Sequence, residues 1–141
     1  YRISEQVTVA EGHTLTIQAG VDVLFDADVE FVVRGSIRAL GTETDSVRFL
    51  KGTAERWGGI EIVDNSSSLK YTRISGASGL FSGGLHCYSS GGMTYGITHL
   101  FMDNCTISGN TAETGGGLAL TQGVVSTLTN CTISGREITS G

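Results

Sequence analysis

The sequence has no excess of basic residues: 9 Lys and Arg stand against 14 Asp and Glu, a formal net charge of −5. A nucleic-acid binder would carry a basic face to neutralise phosphates, so that class is excluded. No uninterrupted apolar run exceeds three residues, which excludes a transmembrane helix. Neither a basic stretch nor an apolar one opens the chain in the manner of a signal peptide. Tyr1 stands where an initiator Met would, which suggests processing ahead of it or a piece of a longer protein. Proline is absent, lysine occurs twice and helix formers are scarce. Helical repeats would be broken by so many glycines.

What the chain does have is 21 Gly, 17 Thr and 15 Ser among 141 residues, with β-branched residues throughout. This composition predicts short strands joined by Gly, Ser, Asn and Asp turns. The apolar residues recur too regularly for a disordered chain. The length suits one domain, 1–141, which divides by its motifs into N-terminal coils (1–56) and repeat coils (57–141).

Repeats carry the fold. Cys105-Thr106-Ile107-Ser108-Gly109 returns unchanged 26 residues later as Cys131-Thr132-Ile133-Ser134-Gly135, and Thr72-Arg73-Ile74-Ser75-Gly76 lies 33 residues before the first. A second motif keeps step: Gly58-Gly59-Ile60-Glu61-Ile62, Gly83-Gly84-Leu85-His86-Cys87 and Gly116-Gly117-Leu118-Ala119-Leu120. Alignment places Leu69, Met102 and Leu128 in one column, Thr72, Cys105 and Cys131 in a second, and Ile74, Ile107 and Ile133 in a third. The other strand aligns Ile60, Leu85 and Leu118, then Ile62, Cys87 and Leu120. Inward positions two apart are the strand period, whereas the three-residue step from Met102 to Cys105 marks a turn or bulge at Asp103-Asn104. Coils stacked about 4.8 Å apart would bury each column as a continuous ladder. The longer offset places a Gly-rich insertion at Ser89–Thr98. Short strands in the first half, among them Thr14–Ile17, Val21–Phe25, Val29–Val33, Ser36–Ala39 and Val47–Phe49, bring the count to about five coils.

The run Val7–Val21, with Thr14-Leu15-Thr16-Ile17 before Gly20-Val21, resembles the opening of right-handed parallel β-helix proteins of bacterial surfaces. Gly35–Thr42, Val47-Arg48-Phe49 and Trp57-Gly58-Gly59-Ile60 are similar to their second and third coils. The Gly-Gly-Gly-Leu and Asn-Cys-Thr-Ile-Ser-Gly runs resemble repeats of secreted and polymorphic outer-membrane β-helix proteins. The resemblance spans nearly the whole chain. The fold expected is all-β: a single-stranded right-handed parallel β-helix of about five coils, of the pectate-lyase-like superfamily type. The resemblance implies an extracellular or cell-surface setting, in a superfamily that includes adhesins, structural proteins and polysaccharide-degrading enzymes.

Candidate chemistry is sparse. Asp22, Asp26, Asp28 and Glu30 form the densest acidic cluster, with oxygen donors that would suit Ca²⁺; the alternative is a charged turn that keeps the outer face solvated. No EF-hand or Gly-Gly-x-Gly-x-Asp repeat accompanies them. Glu61, His86 and Ala119 share an outward column, so Glu61 and His86 are expected as neighbours, with the carboxylate raising the imidazole pKa. That pair reads as an acid–base couple or as an ordinary surface ion pair. His13 and His99 lack an evident partner, and no His/Cys spacing fits a metal.

Cys87, Cys105 and Cys131 all fall in inward columns as small buried hydrophobes, with Cys105 and Cys131 near enough for a disulfide in an oxidising compartment. Asn104 and Asn130 are expected to stack and satisfy turn backbone through their side-chain amides. Their glycosylation sequons, and that at Asn65-Ser66-Ser67, are discounted. Thr106, Ser108, Thr132 and Ser134 make a small outward hydroxyl grid.

The function favoured is a non-catalytic structural or adhesive module that stacks head to tail through its uncapped ends, with glycans or cell-surface molecules as other partners. The alternatives are a polysaccharide-degrading enzyme, with the acidic cluster or Glu61 and His86 as its site, and a sugar-binding module using Trp57, Tyr71 and Tyr88 in a row.

Overall fold

The computed structural model of the chain describes residues 1–79, 83–90, 98–113, 116–121 and 123–137. Its strands are short because Gly, Asn and Asp interrupt every apolar run, and every pairing between them is parallel. The first coil is β1 (Arg2–Ile3), β2 (Val7–Val9) and β3 (Thr14–Gln18). The second is β4 (Asp22–Phe25), β5 (Phe31–Val33) and β6 (Ser36–Leu40), and the third β7 (Val47–Lys51), β8 (Ile60–Val63) and β9 (Ser67–Lys70). The fourth coil, β10 (Thr72–Ile74), β11 (Ser78–Gly79), β12 (Leu85–Tyr88) and β13 (Thr98–Asp103), gains a short fourth side. So does the fifth, β14 (Thr106–Ile107), β15 (Thr111–Ala112), β16 (Leu118–Leu120) and β17 (Val124–Thr129), before β18 (Thr132–Ile133) and β19 (Arg136–Glu137) begin another.

Three walls result, in the orders β1-β4-β7-β10-β14-β18, β2-β5-β8-β12-β16 and β3-β6-β9-β13-β17, with β11-β15-β19 as the short fourth. The chain is a parallel β-solenoid of about five turns. The register matches the sequence columns: Leu69 on Met102 on Leu128, Ile74 on Ile107 on Ile133, Ile60 on Leu85 on Leu118, and Ile62 on Cys87 on Leu120. Phe25 and Phe31 point inward. The Ser89–Thr98 insertion falls largely at 91–97, outside the described residues. Its first part is anchored where Ser90 donates from backbone and hydroxyl to the Asp64 carboxylate.

The lumen is filled by ladders of Ile, Leu and Val, and by an aromatic cluster in the second and third coils. Phe25 stacks on Trp57 with ring centres 3.9 Å apart. Phe31 meets Phe25 and Phe49 edge to face at 6.3 and 5.5 Å. Trp57 is wholly buried and donates its indole N–H to the Ser75 carbonyl at 2.9 Å.

Two local devices let the coils close. At the Gly-Gly motif, a Cβ on Gly59, whose φ is +88°, would lie 2.6 Å from the Gly83 carbonyl, and one on Gly84 2.6 Å from the Gly117 carbonyl. Only glycine admits that approach. At the other corner Tyr71, Asn104 and Asn130 form one column with φ of 44°, 54° and 50°. The Asn residues serve there as left-handed turn formers. The expected support of the turn backbone by their amides is not what forms at Asn104, whose amide donates to the Asp103 carboxylate at 2.8 Å.

In the first coil the ladder residues Val9 and Ile17 are buried, at 8% and 7% exposure. Ile3, Val7, Leu15, Ile17, Val21 and Phe31 line a recess of about 350 Å³ at the first coil. At the last, Leu120, Leu128 and Ile133 are 38–40% exposed.

Candidate functional site

The acidic cluster read from the sequence is parted by the fold. Alternation along β4 turns Asp22 outward, where Arg48 of the next coil grips it with two bonds of 2.7 Å. Asp26, beyond the end of β4, takes Arg2 of the previous coil at 2.8 and 3.0 Å and the Thr53 N–H of the next at 2.8 Å. The Thr53 N–H and the Arg2 guanidinium together hold its carboxyl below the ordinary range. Asp28 pairs with Arg56 at 2.8 Å. Three of the four acids thus tie neighbouring coils together by ion pairs, and the fourth, Glu30, goes elsewhere. Among the described residues no group of three or more His, Cys, Asp or Glu is placed to hold a metal. The gathered Ca²⁺ site is not what the corner forms.

Glu30 turns onto the outer face of the β5-β8-β12 wall and meets Glu61, which the sequence reading had assigned to a different candidate site. Because Phe31 pairs with Ile60, Glu30 and Glu61 are diagonal neighbours. Gly58 leaves open the space that the Glu30 side chain crosses: a Cβ there would lie 2.6 Å from Glu30 Cγ. Glu30 is raised above its ordinary carboxylate value, by burial first and by the neighbouring Glu61 second.

Glu61 pairs in register with His86, as the columns predicted. The expected rise in the imidazole pKa does not follow. Burial lowers it, and the opposing attraction of Glu61 is the smaller effect. The His86 ring lies 4.8 Å from Tyr88, and its Nε2 is 3.4 Å from the Thr121 hydroxyl. Burial first and the neighbouring Glu61 second push the Tyr88 phenol up to about 12.

Glu30 also reaches a cleft of about 370 Å³ that crosses four coils, with Asp28, Arg56 and Glu113 at its rim and Gly58, Ser78 and Gly79 along its floor. The wall therefore brings together two neighbouring carboxyl groups, a phenol and an imidazole beside an open groove.

Trp57, Tyr71 and Tyr88 do not form an aromatic row. Trp57 is in the core, Tyr71 is at a left-handed corner, and only Tyr88 belongs to this wall. Cys87 and Cys105 are buried, Cys131 is half-buried, and all three thiols are free. Burial pushes Cys87 up to about 12 and Cys105 to about 11. The Asn65 amide is occupied by the Arg34 carbonyl at 2.8 Å, and Ser67 of its sequon is buried. Thr106 and Thr132 stack as expected, with the hydroxyl grid limited to two coils.

Sequence reasoning missed the Glu30–Glu61 contact. Extending the Gly58-Gly59-Ile60 column back to Phe31 would have found it. It also missed Asn110, buried at the corner between β14 and β15, for which no repeat gave a signal. Comparison of the chain with protein-family models, with curated protein sequences and with solved structures returned no significant match.

Proposed function

We propose that the chain is a non-catalytic, extracellular structural or adhesive β-solenoid module, of the kind that the bacterial-surface motifs resemble, and that its coils stack head to tail on a second copy. The observation that carries this reading is the match between the two end faces. Leu120 ends the column that Val9 begins, and Leu128 ends the column that Ile17 begins. A second copy placed coil on coil would continue both ladders in the same register. Such a contact is heterologous and does not close, so it builds a filament. The inter-coil ion pairs of Asp22, Asp26 and Asp28 fit a scaffold, since they spend the acids on holding coils together.

Negative-stain microscopy and light scattering across a dilution series test it. Filaments are expected from the native chain, and monomers from Leu128→Glu, a change at a 40% exposed position that leaves the circular dichroism intact. A native chain that stays monomeric at high concentration overturns the stacking.

A second reading, polysaccharide binding or cleavage, is favoured by one observation, the Glu30–Glu61 pair beside the cleft. Its test is a glycan screen with Glu61→Gln as the comparison. Retention of a glycan by the native chain and its loss in the variant would move the function to this wall.

A further inference from the structure

We propose that Cys105 and Cys131 are a dithiol modification site, closed to a disulfide across two neighbouring coils by a small-molecule disulfide oxidant. This inference stands apart from the stacking reading.

The geometry is a consequence of the repeat. Thr106 pairs with Thr132, so the cysteines one residue earlier lie side by side, and the Thr132 N–H bonds to the Cys105 carbonyl at 2.9 Å. Each cysteine follows an Asn in the same left-handed conformation, with φ of 54° and 50°, so the two backbones are congruent and offer their thiols in one direction. The surroundings repeat as well. Cys105 Sγ donates to the Leu69 carbonyl of the preceding coil at 3.2 Å, and Cys131 Sγ to the Met102 carbonyl at 3.5 Å. Leu69 and Met102 are themselves register partners. Each thiol also reaches the carbonyl two residues before it, that of Asp103 at 3.5 Å or Thr129 at 3.3 Å.

Cys131 is near enough to Cys105 to add to the burial that raises the Cys105 thiol. Parallel neighbours about 4.8 Å apart lie inside the ~4.4–6.8 Å Cα window of disulfides, and a Cβ approach of under about 1 Å completes the bond. Cys87 stands on a different wall, in the column between Ile62 and Leu120.

Half-buried Cys131 is the first to react. Its thiolate attacks one sulfur of glutathione disulfide, forming a mixed disulfide and releasing one glutathione. Cys105 then gives up its proton and its sulfur attacks Cys131 Sγ, displacing the second glutathione. Two protein thiols are oxidised, one glutathione disulfide is reduced to two thiols, and the two thiol protons end on glutathione. Because burial holds the Cys105 thiol near 11, the closing step speeds up about tenfold per pH unit between neutrality and pH 9.

The test uses the native full chain, incubated with glutathione disulfide, alkylated, and mapped without reduction. Arg73 and Arg136 leave all three cysteines on one tryptic peptide, so cleavage at Asp103 and Glu113 is needed to separate them. The expected result is a Cys105–Cys131 cross-link that is two hydrogens lighter, with Cys87 alkylated only after unfolding and the circular dichroism unchanged. Amide exchange over 124–133 should slow roughly tenfold or more. Cys105→Ser should stop at the Cys131–glutathione adduct. A link through Cys87, links only between chains, loss of native circular dichroism on oxidation, or a stable Cys131 adduct beside an alkylatable Cys105 in the native chain overturns the proposal.

Discussion

Asn110 offers the sharpest test of how the coils are held together. It is 1% exposed, at the corner where the chain leaves β14, and it spans the gap between β10 and β11 in the coil beneath. Its Oδ1 accepts the Ala77 N–H at 3.0 Å, and its Nδ2 donates to the Ile74 carbonyl at 3.1 Å. In Asn110→Ala the Ile74 carbonyl keeps the Ser108 N–H, also at 3.1 Å, whereas the Ala77 N–H is left buried without that acceptor. An orphaned donor costs about 1–3 kcal/mol and the lost second bond about 1 kcal/mol, so the expected destabilisation is roughly 2–4 kcal/mol. That is a large share of a stability of about 5–15 kcal/mol.

Asn110→Asp separates the two bonds. A carboxylate still accepts from Ala77 but has no proton for Ile74, and burial raises its folded pKa above the unfolded value near ~3.9. The folded state then holds a proton that the unfolded state releases, so the deficit grows as pH rises above about 4 and shrinks in acid. Urea unfolding followed by far-ultraviolet circular dichroism at several pH values measures both. An Asn110→Ala loss within about 0.5 kcal/mol of zero, the range of ordinary surface changes, or an Asn110→Asp deficit that deepens on acidification, refutes the reasoning.

Four further outcomes are expected. Trp57→Ala should cost about 3–5 kcal/mol by emptying the stack on Phe25, and the single Trp should keep a blue-shifted emission that glycans leave unmoved and unfolding shifts red. Glu30→Gln should stabilise the chain at neutral pH. The folded pKa of Glu30 is raised, so the stability that its proton supplies is present in acid and lost as pH climbs through that value; the gain over native should vanish on acidification. His86→Gln should flatten the opposite slope: with its folded pKa lowered, the unfolded chain binds the proton more readily, and the native protein loses stability as pH falls below about 6.5. Asn104→Ala should cost about 1 kcal/mol more than Asn104→Gly in thermal melts, because its φ of 54° is strained for Ala and free for Gly.

The charged contacts on this surface are of two different kinds. The Arg48–Asp22 and Arg2–Asp26 pairs join coils through exposed groups, and salt should weaken them readily. Glu30 and Glu61, by contrast, are neighbouring like groups, placed by the backbone register and by Gly58, which leaves room for the Glu30 side chain.

The sequence by itself determined the register. Residues that recur at like offsets must stack when each coil can cover its apolar edge only with its neighbour's, so Leu69, Met102 and Leu128, or Ile60, Leu85 and Leu118, could be set on one another from spacing alone. The break at Asn104 was legible for the same reason, since a three-residue step cannot keep the two-residue strand period. The tertiary structure alone decided what happens at the corners. There the chain follows no period, and the equivalent corners 26–30 and 52–59 differ in length from one coil to the next. Where the corner points therefore depends on the packing around it. That packing sent Trp57 into the lumen against Phe25, handed Asp22, Asp26 and Asp28 to three separate arginines, turned Glu30 toward Glu61, and buried Asn110 as a stitch between coils. Periodicity fixes which residues lie above one another along a wall; only the closed solenoid fixes which residues meet around it.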